Sequence, residues 1–221
     1  MPRPIVRPSL RIVPVLLLLL TALLASGCGV RYSVSVDSLR DAEAPEVKTF
    51  VLEPGNSEVS ADDLLFREVC SLVTPAFHAH GYRLADNRNE ADAVAKISYW
   101  SEEPQQHVRT DYVTHAVPIA RRHRHHSHID YAYIDEPVLV AYTVYTAKLC
   151  IEASALKGRE RQIWRTIYGY TGTRDDFRTM LHNIAPAIAR GLGSQTNGVQ
   201  YLNVEISDDG LITVTDPALG W

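Results

Sequence analysis

The segment Val138–Ala153 constrains the fold of this chain more than any other. Val138, Val140, Tyr142 and Val144 alternate with Leu139, Ala141, Thr143 and Tyr145, and Lys148 and Glu152 enter one face only late in the run. A two-residue period sends successive side chains to opposite faces of a strand. The run therefore predicts a strand with apolar residues on both faces, rich in the β-branched and aromatic types that suit a pleated surface. After a polar turn around Lys157–Glu160, Ile163, Arg165, Ile167 and Gly169 alternate with Trp164, Thr166, Tyr168 and Tyr170. That pattern predicts an antiparallel partner and places the pair at the centre of a sheet.

The remaining elements arrange themselves around this pair. Val47–Leu52 reads as a first strand, closed by the turn Pro54-Gly55-Asn56. Ser60 with Asp63 three residues on resembles a capping arrangement, and Leu65, Val69, Leu72, Val73 and Phe77 follow at helical spacing. Pro75 should kink or shorten that helix, and Gly81 ends it. Ala91–Trp100 reads as a second strand, followed by a long irregular stretch. Thr173 or Asp175 caps a second helix that runs to about Arg190, with Phe177, Met180, Leu181, Ile184 and Ile188 on one face. Val199–Ile206 and Leu211–Thr215, around Asp208-Asp209-Gly210, read as a terminal hairpin. The expected class is α+β: an antiparallel sheet with two helices packed on one face, a long His-rich insertion and a C-terminal hairpin. With 221 residues and 46% hydrophobic side chains, one domain with its own core is the default.

The N-terminus has the parts of an export signal. A basic stretch ends at Arg11, an apolar run extends from Ile12 to Leu24, and small residues Ala25-Ser26-Gly27 precede Cys28. A membrane-spanning helix needs about 20 apolar residues; this run is shorter and contains Pro14. Ala25-Ser26-Gly27-Cys28 resembles the lipobox of bacterial lipoproteins, in which the cysteine thiol receives diacylglycerol before cleavage. Leu24 stands one place earlier than that pattern has it, and an ordinary cleaved signal is the alternative. The expected division is a signal peptide at 1–27, a lipidated tether at 28–45 with Cys28 as the modified residue, and a single α+β domain at 46–221. Gly29, rather than Asp, after the cysteine points by the same resemblance to the outer membrane, with the domain facing the periplasm.

Cleavage after Gly27 removes Arg3, Arg7 and Arg11 and no acid, so 22 basic residues become 19 against 26 acidic ones, a net charge of −7. An acidic domain lacks the many Lys and Arg contacts that sequence-independent nucleic-acid binding requires. The expected partners are the membrane, through the N-terminal lipid, and an envelope protein or anionic envelope component.

The order of motifs resembles a known family. Val36-Asp37, Lys48-Thr49-Phe50 in a first strand, His80-Gly81-Tyr82-Arg83-Leu84 at a helix end and Glu90-Ala91-Asp92-Ala93 opening a strand are similar to proteins built on the domain of unknown function 4136. Gln162-Ile163-Trp164-Arg165 and the closing helix extend the resemblance over roughly residues 34–192. It implies a small envelope lipoprotein of α+β fold, without an established activity or catalytic residues. Departures from the family pattern fall between about Ser101 and Pro137 and after Gly193.

The first departure holds the one unusual composition. Six of the nine histidines fall within 22 residues, and His123, His125, His126 and His128 interleave with Arg121, Arg122 and Arg124. Neutral imidazole binds zinc and copper well, so these four histidines are candidate ligands for a transition metal ion. The interleaved arginines repel a cation, and no cysteine or acidic ligand spacing accompanies the cluster. A solvated loop that gains charge below about pH 6.5, or a basic island for anionic head groups, explains the same residues. Cys70 and Cys150 are candidates for a disulfide in an oxidising compartment, or are small buried hydrophobes. No Gly-x-Ser-x-Gly elbow, phosphate-cradling loop or His-Glu-x-x-His helix is present, and no residue is assigned as catalytic. Asp62-Asp63, Asp175-Asp176 and Asp208-Asp209 each sit where a helix start or turn favours an acid.

Overall fold

The computed structural model describes residues 30–123, 126–157 and 161–216, and the side chains of these except at 120–128. Its described part is mixed α+β: two helices and a large, mostly antiparallel sheet. The elements are β1 (Val30–Arg40), β2 (Thr49–Pro54), α1 (Leu64–Ala79), β3 (Arg83–Leu84), β4 (Ala93–Ser101), β5 (Gln105–His123), β6 (His126–Ala155), β7 (Arg161–Gly172), α2 (Phe177–Gly191), β8 (Gln200–Ile206) and β9 (Ile212–Thr215). Strands follow the order β3-β2-β4-β6-β7-β1-β8-β9, with β5 paired to β6 off that path. β6 and β7 are central and antiparallel, as their alternation predicts.

One side of the sheet carries the core. Ala95, Ile97, Leu149, Ile151 and Tyr168 point into a single buried cluster with Val69, Val73 and Phe77 of α1 and Ile184 and Ile188 of α2. Phe50, Phe77, Tyr82 and Trp164 form its aromatic centre, with Phe50 and Phe77 edge to face at 5.2 Å. A β-bulge at Ala153/Ser154 inserts an extra residue in β7. It lets the consecutive Ile163 and Trp164 both become buried, which strict alternation forbids.

Polar residues start both helices, three residues after Ser60 in the first and one after Asp175 in the second. Asp63 caps α1 by accepting from Phe66 N–H at 2.9 Å, and Ser60 instead shapes the preceding turn. Asp176 caps α2, accepting from Thr179 N–H at 3.1 Å. Pro75 does not stop α1, which continues through the buried Ala76 and Phe77 to Ala79. Gly81 follows with φ of 75°, the left-handed conformation that glycine adopts freely at a helix end.

Three expectations need correction. First, the region 28–45 is not a tether throughout, because Val30–Arg40 is strand β1, set between β7 and β8. Its Val34, Val36 and Ser38 are buried while the intervening positions are polar, so the alternation was present but masked by serines. Second, the sheet is not antiparallel throughout: β2 runs parallel to β3 and β4. α1 carries the chain back to the end where β2 began, and a strand that follows such a crossover pairs in parallel. Third, the stretch after Ser101 is not irregular, because Gln105–His123 pairs residue by residue with β6.

Candidate functional site

The pairing of β5 with β6 makes an arm. It contains 19 register pairs, from Gln105↔Val144 at its base to His123↔His126 at its tip. At about 3.3 Å per residue the arm is roughly 60 Å long. β4 leads into it along the same edge of β6, held by Glu102 N–H donating to Thr146 O at 2.8 Å. Beyond Tyr145, β6 has no described partner other than β5, so both outer edges of the arm are unpaired among the described residues.

Register sorts the arm's side chains into two unlike faces. One holds Val108, Tyr112, Ala116, Tyr131, Tyr133 and Leu139, among threonine, alanine and proline, with the acid Asp135 opposite Thr114. The other holds Arg109, Asp111, His115 and Glu136 between Val113, Val117, Val138 and Val140. Charges on this second face are matched: Arg109 Nη2 meets Asp111 Oδ2 at 3.0 Å, and His115 Nε2 lies 3.4 Å from Glu136 Oε2. The faces differ in exposure as well. Val108, Tyr112, Tyr133 and Leu139 are 64–76% exposed, against 37–54% for Val113, Val117, Ile134, Val138 and Tyr142, so the first face stands prouder.

The arm's direction follows from the ladder. Val34 of β1 and Ala147 of β6 both pair with Tyr170 of β7, from opposite sides. β1 and β6 are each antiparallel to β7, so they run parallel to one another. Moving from Val34 toward Val30 is therefore moving from Ala147 toward the arm's tip. The N-terminal end of β1 and the arm leave the sheet at the same end.

Cys28 and His125 lie outside the described residues. His123, His126 and His128 fall at the arm's tip, where the register sets His123 opposite His126 and Arg121 opposite His128. Among the described residues no group of three His, Cys, Asp or Glu is placed to hold a metal ion. Cys70 and Cys150 are free thiols rather than a disulfide. Cys70 packs against the core on the helical side, whereas Cys150 alternates with the core-facing Leu149 and Ile151 and so lies on the other side of the sheet. Burial pushes each thiol from its ordinary 9.0 up to about 11.

Other ionisable residues are engaged in structure. Glu68 of α1 receives Arg178 Nε at 2.8 Å and His182 Nε2 at 2.7 Å, joining the two helices. His80 Nε2 lies 2.8 Å from Ala189 O. Asp63 and Asp176 cap helices, and Asp209 closes the β8–β9 turn against Ser207 and Leu211 N–H. Asp92 accepts from Lys157 and from the Lys48 and Thr49 backbone, and the Lys157 hydrogen bond holds its carboxyl below the usual range. Sequence reasoning missed the arm because its alternation is obscured by Pro118, Pro137 and mixed charges. Pairing Tyr112 with Pro137, and each neighbour in turn, was the signal that could have exposed it. Among the described residues no helix is long and apolar enough to cross a membrane.

No family model and no curated protein matches the chain. Among solved structures it is similar to a PDZ domain protein from Parabacteroides distasonis, at 11% identity and a TM-score of 0.44 over 84% of this chain and 41% of that one. It is also similar to a PelC variant dodecamer from Paraburkholderia phytofirmans, at 14% identity and a TM-score of 0.37 over 72% of this chain and 95% of that one. The chain thus spans about two fifths of the PDZ domain protein's length. At these scores neither likeness bears on what the protein does.

Proposed function

We propose that this chain is a lipid-anchored cell-envelope protein, held by Cys28 at the periplasmic face of the outer membrane, and that it is a non-enzymatic module for binding or assembly. In the family it resembles, the His-rich insertion near residues 101–137 and the closing hairpin are additions, and the insertion carries the particular function. The observation that supports this most is the arm: a 19-pair ladder in which β5 pairs with β6 alone among the described residues, and which carries exposed tyrosine, valine and leucine. An isolated two-stranded ribbon is marginal in water, and an apolar surface of that extent marks a contact with another molecule.

Metabolic labelling with a fatty acid and membrane fractionation test the anchored reading. Acylated protein in the outer-membrane fraction supports it. A processed, unmodified protein in the periplasm would remove it.

A second reading is favoured by one observation, the placement of His123 opposite His126 at the tip with His128 two residues on. In this reading the tip binds a transition metal ion such as zinc or copper through His123, His125, His126 and His128. Titration with Zn²⁺ and Cu²⁺, beside a variant with all four histidines changed to alanine, decides it. Equal affinity in the two proteins sinks the metal reading.

A further inference from the structure

The geometry points to the β5–β6 arm as a membrane-inserting hairpin: the Val108–Tyr133–Leu139 face lies against lipid, the charged face lines water, and the two open edges pair with the arms of further copies of this chain. This rests on the lipid-anchored reading above, because it takes the N-terminal end of β1 as the membrane-facing end.

Position supplies the first argument. Val30 is two positions on from Cys28, a reach of about 7 Å at 3.3–3.6 Å per residue, so a lipid on Cys28 would hold the start of β1 at the bilayer surface. Through the β1–β7–β6 ladder, Arg31 is level with Val144 at the arm's base, counting from Val34 and Ala147. The rest of the arm lies beyond that level on the membrane side. A ribbon of this length, starting at the surface and pointing at it, either enters the bilayer or bends away, and no register shift interrupts its 19 pairs.

Length and pattern supply the second. From Val108↔Ala141 to Pro118↔Tyr131 the ribbon has eleven register pairs, six of them on the lipid-side face. At about 3.3 Å per residue and a tilt near 40°, such a stretch covers roughly 28 Å, close to the ~25 Å apolar band of membrane β-barrels. The outward side chains are apolar apart from Thr110, Thr114 and Asp135, and all the other charged side chains of the stretch, Arg109, Asp111, His115 and Glu136, turn inward among Val113, Val117, Ile134, Val138 and Val140. Tyr131 and Tyr133 lie at its far end, where aromatic residues suit an interface, and Tyr112 lies near its middle. The lipid-side face of this stretch holds no arginine or histidine, and Arg121, Arg122, His123, His126 and His128 come beyond it.

Asp135 is the one acid on the lipid side of this stretch. Thr114 Oγ1 donates to its Oδ1 at 2.7 Å, and an acid costs less at such depth than a base. Pro118 and Pro137 each take a donor from an open edge, which limits indiscriminate pairing in water. The other edge groups cannot stay unpaired in hydrocarbon. A single arm is therefore insufficient, and arms of neighbouring copies must close the ladder.

The test uses the full-length lipidated protein in liposomes of phosphatidylethanolamine and phosphatidylglycerol. Single cysteines carrying a nitroxide replace positions 108–115 in turn, in a Cys70→Ala/Cys150→Ala background whose fold is verified by its unfolding midpoint. Membrane-soluble oxygen should relax labels at 108, 110, 112 and 114, and a water-soluble nickel chelate those at 109, 111, 113 and 115, with severalfold alternation. Leu139→Arg should abolish the alternation and the oligomer, while Val138→Arg, its neighbour on the water side, should leave both. Labels uniformly accessible to nickel on an acylated, membrane-bound protein would overturn the insertion and leave the anchored reading intact. Copies associating through the arms in solution, with no lipid contact, would overturn it too. Unacylated protein that never reaches the bilayer would overturn both.

Discussion

Val34 and Ala147 share one partner, Tyr170, which each meets from opposite sides in the ladder. Through that shared residue the first strand and the longest strand run the same way, and the N-terminal end of β1 and the arm lie at the same end of the sheet. β1 is thereby a structural element of the sheet and not a spacer in front of it.

The proposed lipid on Cys28 has a direct test. Cys28→Ala is expected to yield a form lacking acyl groups, either released to the soluble fraction or retained as unprocessed precursor. Intact-mass measurement of the N-terminus together with fractionation checks this. A normally processed C28A protein still in the membrane would contradict the anchor.

Thr166 ties β7 to β1 and to the end of α2. Its hydroxyl lies 2.7 Å from Ser38 Oγ, donates to Gly191 O at 3.2 Å and accepts from Gly193 N–H at 3.3 Å, in a fully buried position. Thr166→Val keeps the shape and strands those partners, so it should cost about 1–3 kcal/mol. Denaturant midpoints measure the loss. A double-mutant cycle with Ser38→Ala should show coupling of at least about 0.5 kcal/mol.

Phe77 is completely buried, with Phe50 at 5.2 Å, Tyr82 at 5.9 Å and Trp164 at 6.2 Å. Phe77→Ala should destabilise the domain by about 3–5 kcal/mol, since the surrounding rings cannot collapse into the space. Urea unfolding followed by tryptophan fluorescence reports it.

Alkaline pH should weaken the fold. Burial raises Cys70 and Cys150 to about 11 and, for Tyr32, raises the phenol to about 12 from 10.0. Between about pH 9 and 12 the unfolded chain releases protons that the folded one keeps, and stability falls as pH rises wherever the unfolded state binds fewer protons. The contribution is complete below pH 9 and is lost as pH climbs through 11 and 12. Unfolding midpoints across this range, repeated with Cys70→Ala/Cys150→Ala, should show a shallower decline in the variant.

Local patterns in the sequence determined a great deal here. The two-residue period of Val138–Ala153 and of the segment after Ile163 specified the central strands, because one step along a strand reverses the face. Helical spacing of Val69, Val73 and Phe77, and of Leu181, Ile184 and Ile188, specified both helices and the sides they bury. The acids at helix starts and turns were legible for the same reason, since their effect is exerted within a few residues. Tertiary structure alone decided the rest. β1 is half serine and polar residues and is a strand only because β7 and β8 lie on either side of it. The parallel placement of β2 depends on where α1 returns the chain, and the separation of Cys70 from Cys150 depends on which face each element turns to the sheet. Above all, the arm's two faces exist only once β5 and β6 are in register. The charge and the apolar surface are written in two segments of sequence, but only pairing between them brings each kind to one side.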